Sequence, residues 1–138
     1  MKTLSRLAPI LGRIPLVMAT VIFTLISLRF ISNPVHAAAA TGISFTRPIG
    51  ITVGRIGFGA FPLGCAIVTA LCLISARRLL TGLAFVAIML GVALLVRILG
   101  IAVDHTLAES LRVTVSEMVL LTLSIVGMVA VSARQRLQ

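Results

Sequence analysis

The sequence contains no tryptophan and no tyrosine, and only three of its 138 residues carry a carboxylate side chain. Without those two aromatics there is no broad platform for stacking bases, so the net charge of +9 does not point to nucleic acid. Charged residues make up 11% of the chain, well below the ~25% usual in soluble domains, and cannot cover a globule in water. Hydrophobic residues reach 59% and mean hydropathy is +1.22. Such a composition belongs in a bilayer, where Lys and Arg at the ends of apolar runs mark the cytoplasmic side and meet anionic headgroups. About four spans of ~20 residues with short connections use up the length, so a single transmembrane domain over 1–138 is expected, with no separate soluble domain.

Cysteine is also scarce. Cys65 and Cys72 lie seven residues apart in one apolar run, ~10 Å of helical rise, beyond the ~7 Å Cα limit for a disulfide. They read as small packing residues. No metal-ligand spacing, phosphate-binding glycine loop or nucleophile motif occurs. His105 beside Asp104 is the one candidate acid/base pair, and adjacent loop residues rarely aim at one substrate atom. We therefore expect a protein without enzymatic activity, cofactor or metal.

Apolar runs dominate what is present. The first, about 14–30, follows a basic start and carries Thr20, Thr24 and Ser27 at i, i+4, i+7, a polar stripe suited to facing other helices. It invites a signal-peptide reading with Val35, His36 and Ala37 as a cleavage site; we expect it to be retained as the first membrane helix. Asn33 and Pro34 suit the N-cap and first position of a short interfacial helix, with Gly42 placed to end it.

The second span, about 51–74, is rich in small residues, and Gly57, Gly59, Ala60 and Gly64 are the expected helix-packing positions. Ala60 with Gly64, and Ala66 with Ala70, form small-xxx-small pairs. At α-helical spacing Arg55, Gly59, Pro62, Ala66 and Thr69 share one face, and Pro62 should bend the helix. Arg77 and Arg78 make a basic turn before the third span, about 79–99, which carries Arg97 near its far end; Gly100 should loosen the chain. Thr106-x-x-Glu109 is a capping-box pattern that opens a fourth helix, about 107–132. Glu109 and Arg112 then lie in the headgroup zone and Glu117 inside the apolar layer.

Seven of the twelve basic residues (Lys2, Arg6, Arg13, Arg77, Arg78, Arg134 and Arg136) fall on one side of this four-span layout, and all three carboxylates on the other. The positive-inside rule then puts both termini in the cytoplasm. Arg29, Arg55, Arg97, Asp104 and Glu117 consequently share one depth near the outer ends of their spans. Ionised groups there tend to face the bundle interior and pair, so a cluster of Arg55, Arg97 and Glu117 with Asp104 capping it is expected. Arg29 can snorkel to headgroups. The cluster is open to three readings: structural pairing that fixes helix register, a pocket for a polar ligand or headgroup, or proton and ion handling.

The same residues resemble a family of small bacterial four-helix membrane proteins catalogued as domain of unknown function 4345. The resemblance is carried by Asn33-Pro34 after the first helix, Arg55 with Gly57 and Gly59 early in the second, Arg97 ending the third, then Asp104, then Glu117 early in the fourth. It covers roughly Phe30 to Ser132 and rests most on the spacing of Arg97, Asp104 and Glu117. In that family the Asp is typically followed by Gly, x and Pro, whereas His105, Thr106 and Leu107 follow it here. The resemblance implies an all-helical four-helix membrane fold and a bacterial inner-membrane address, and no activity.

The first functional expectation is a scaffold or accessory subunit that packs against other copies or a larger membrane complex. The alternative is a binding protein for a lipid or small amphiphile, its acidic or phosphate head at Arg55 and Arg97 and its tail between helices. A small transporter is a second alternative, weakened by inner span halves that offer little beyond Ser, Thr and Gly. Charges that surround a cavity favour binding; an Arg97 closed entirely on Glu117 counts against it.

Overall fold

Long apolar runs with no polar partner for their backbone satisfy it internally, and the chain is helical almost throughout. The computed structural model describes residues 2–136, and describes no side chain at residues 2–7 or 109. The side chains of Lys2, Arg6 and Glu109, named above, therefore lie outside the described residues. In chain order the elements are α1 (Lys2–Ser32), α2 (Pro34–Ala39), α3 (Pro48–Gly54), a π turn (Arg55–Ala60), α4 (Phe61–Ile74), a 3₁₀ turn (Ala76–Arg78), α5 (Leu79–Asp104) and α6 (Leu107–Gln135). No strand occurs among the described residues. Four helical stretches, Ala8–Ser32, Pro48–Ile74, Ala76–Asp104 and Ser110–Gln135, are long and apolar enough to cross a membrane.

Helix α1 is the hub and packs against α4, α5 and α6. Its Leu16 and Ala19 join Cys72, Leu79, Leu83, Val86, Leu90, Leu120 and Val131 in one core. Two glycines allow close approach. A Cβ at Gly127 of α6 would lie 3.2 Å from the Leu11 carbonyl of α1, and one at Gly82 of α5 would lie 2.6 Å from Cys72 Cβ. Thr20 Oγ1 donates to Thr69 Oγ1 at 2.8 Å, joining α1 to α4 as the polar stripe predicts. Thr24 turns back to its own helix at the Thr20 carbonyl, and Ser27 is fully buried. Outward positions carry large apolar side chains, such as Ile74 at 78% and Leu95 at 70% exposure, the surface expected to face lipid.

Local signals set several boundaries. Asn33 Oδ1 accepts from the His36 N–H at 3.2 Å and starts α2, and Gly42 adopts a φ of 77° shortly beyond its end. Gly100 does not loosen the third span: α5 runs on to Asp104 and stops at His105, whose φ of 55° is left-handed. A glycine within a helix weakens it by only ~1 kcal/mol and does not end it. Helix α6 begins where the Thr106 pattern places it, yet the Thr106 side chain makes no capping bond.

The largest departure lies in the second span. Pro62 cannot donate to the Phe58 carbonyl, and its ring presses on that group. Directly before it the chain forms one turn with i→i+5 bonding, the Phe61 N–H donating to Ile56 O. Gly59, Ala66 and Thr69 are buried as α-helical spacing requires, but the buried residue one turn before Gly59 is Gly54, five positions back. The π turn has moved the inward face by one residue.

Candidate functional site

Arg97 stands near the end of α5 and Glu117 in the first half of α6, so the α5–α6 hairpin brings them side by side. The pair is bidentate: Arg97 Nε donates to Glu117 Oε2 at 2.8 Å and Nη2 to Oε1 at 2.6 Å. A planar guanidinium matches a carboxylate in this way, with short, charge-assisted bonds. The side chains remain 30% and 18% exposed, so the pair is not sealed.

The exposed flank opens onto a cavity of about 840 Å³. Its polar wall comprises Arg97 and Glu117 together with Arg29 and Ser32 from the end of α1, and Asn33, His36 and Thr41 at and beyond α2. Its apolar wall includes Ile26 and Phe30 of α1, Phe58 of the π turn and Val113 of α6. Phe30 and Phe58, the latter in the π turn, pack with ring centroids 5.0 Å apart.

The expected cluster is thus only partly assembled. Arg97 and Glu117 meet, whereas Arg55 is exposed and has no carboxylate partner among the described residues. The register shift before Pro62 is the physical reason, because it gives the inward position to Gly54. A Cβ at Gly54 would lie 2.5 Å from Phe45 Cζ, so a side chain there would have to displace that ring. Asp104 does not cap the pair either: it ends α5 as an exposed residue with no ion pair among the described residues. Of the expected packing positions, Gly59 is used inside the bundle, against Ile31. Gly57, Ala60 and Gly64 are exposed, and nothing lies within 4 Å of where a Cβ would stand at Gly57 or Gly64.

Sequence reading left Arg29 to the headgroups and gave Asn33 and His36 no part in a site. The common depth of Arg29, Arg97 and Glu117 near the outer ends of their spans was the signal that ties Arg29 to this wall. In charge terms the cavity carries one neutralised pair and one further cation, Arg29, with no carboxylate partner among the described residues. That arrangement can hold a single negative charge beside an apolar surface. No group of metal-ligating side chains occurs among the described residues.

No protein-family model, no curated protein and no solved structure matches this chain.

Proposed function

We propose that the protein is a non-enzymatic bacterial inner-membrane protein that binds a lipid or other amphiphile. The acidic head lies beside Arg29, and the tail lies along Ile26, Phe30 and Phe58. The observation that carries this reading is the 840 Å³ cavity, in which charged and apolar walls meet. The closure of Arg97 on Glu117 counts against Arg97 as the head-binding cation, and the role passes to Arg29. The pair then acts as a rigid polar wall, and Asn33 and Thr41 offer neutral hydrogen-bonding groups. With both termini cytoplasmic by the positive-inside rule, the cavity opens at the level of the outer leaflet. Kinship with the 4345 family forms part of the same proposal.

Native mass spectrometry of the detergent-purified protein tests it. Phosphatidylglycerol should be retained in preference to phosphatidylcholine, and Arg29→Gln should weaken retention about fivefold, the effect of one interfacial arginine. Equal retention of the two lipids, or an unchanged Arg29→Gln variant, would overturn the assignment.

A second reading is favoured by the outward Gly57, Ala60 and Gly64: a scaffold or accessory subunit packing these positions against another membrane helix. A defined oligomer or a stoichiometric partner in detergent supports it, and a monodisperse monomer that copurifies with nothing counts against it.

A further inference from the structure

The three carboxylates, Asp104, Glu109 and Glu117, all sit at the end of α5 or in the first half of α6. Helix α5 has 26 residues, ~39 Å of rise. The arginines at its start and at the end of α6 are therefore separated from the Asp and Glu positions by about the thickness of a bilayer core, ~30 Å. That distance is several Debye lengths, ~8 Å each at physiological salt. No Asp or Glu side chain among the described residues is near enough to neutralise them.

Two of these arginines also share a concavity. Arg77, on the 3₁₀ turn between α4 and α5, and Arg134, in the last turn of α6, line a cavity of about 140 Å³ against the opening turns of α1. Its floor is apolar and packed, with Leu79 1% and Val131 5% exposed. Arg134 is half-buried, and among the described residues neither guanidinium has an ion-pair partner. Gln135 adds a side-chain amide at the rim. The site is thus two guanidinium groups and an amide around a small notch. That suits a compact anion.

We propose that this notch binds a phosphate group, either the phosphodiester of an anionic lipid in the leaflet at the terminal end or inorganic phosphate from solution. Phosphate oxygens match the planar forks of arginine, and exposed Arg77 and half-buried Arg134 together offer two positive charges to one phosphate. The site is separate from the cavity at Arg29, at the opposite end of the bundle, and does not depend on it.

The test uses the full chain in neutral detergent. Native mass spectra are taken with phosphatidylglycerol or phosphatidylcholine, and melting is followed in sodium phosphate against sodium chloride at matched ionic strength. The affinity of the notch for phosphatidylglycerol should fall about fivefold for Arg134→Gln and about 25-fold for Arg77→Gln/Arg134→Gln. Wild type should hold two such lipids, the double variant losing one and Arg29→Gln the other. If the cavity at Arg29 takes no lipid, wild type holds one, still lost in the double variant. Stabilisation by inorganic phosphate that vanishes in the double variant, without a lipid effect, assigns the same site to a soluble phosphate. Should the double variant fail to fold, Arg134→Gln alone decides. Lipid retention and phosphate stabilisation that both match wild type would overturn the proposal.

Discussion

Arg97 and Glu117 are joined by two parallel hydrogen bonds, 2.8 and 2.6 Å long, across the α5–α6 hairpin at the edge of a cavity. Partial exposure sets the worth of the pair between the surface and buried limits. Removing one partner leaves the other charge at membrane depth, so Glu117→Gln and Arg97→Gln should each cost about 1–2 kcal/mol. The double variant should lose less than the sum. A double-mutant cycle on detergent-solubilised protein measures this, and strictly additive losses would show that the pair contributes no coupling.

The glycines divide by their surroundings. At Gly127 a Cβ would press on the backbone of α1 at Leu11 and Gly12, which cannot yield as a side-chain tip can. Gly127→Ala should therefore destabilise by about 1–3 kcal/mol, in the range of overpacking. At Gly57 and Gly64 a Cβ meets nothing, and alanine there should be neutral or stabilise by up to ~1 kcal/mol. Melting temperatures of the three variants decide, and a Gly64→Ala variant less stable than Gly127→Ala contradicts the packing described.

Pro62 sets the register of everything before it in the second span. Replacing it with alanine restores the missing N–H and should return the π turn to α-helical bonding. The segment before it then rotates and brings position 55 onto the inward face. An Arg55→Cys reporter should react readily with a maleimide in the parent and far less in combination with Pro62→Ala. Equal labelling would mean that the π turn has another cause.

Ser27 and Thr69 are both fully buried, with opposite hydrogen-bonding states. Thr69 accepts from Thr20 across helices and lies 3.0 Å from the Cys65 and Ala66 carbonyls, whereas Ser27 Oγ has no partner among the described residues. Thr69→Ala should cost about 1 kcal/mol, and Ser27→Ala should be neutral or stabilising because it removes an unpaired buried hydroxyl. Thermal unfolding of the two variants compares them directly, and a Ser27→Ala loss as large as that of Thr69→Ala would contradict the assignment.

Legibility of the candidate site followed the range of the interactions. Asn33 with Pro34 announced α2 and its cap, because an N-cap is a contact between residues three apart. Opposite charges at one depth on neighbouring spans announced the Arg97–Glu117 pair, because a bilayer leaves few other partners. Arg29 was set at the right level but without its cavity, since α2 and the π turn complete that wall and their packing is not local.

Composition and the length of its apolar runs pointed to a helical chain with four stretches apolar enough to span a membrane, because continuous runs of ~20 apolar residues satisfy a backbone in lipid as helices, not as the shorter alternating strands of a barrel. Tertiary structure decided which residues face inward. A helix that relieves a proline with one i→i+5 turn gains a residue in its register, and that single residue separates buried Gly54 from exposed Arg55. Spacing along the sequence assumes a uniform helix and carries no record of where such a turn forms; packing against Phe45 and Ile31 accommodates it here.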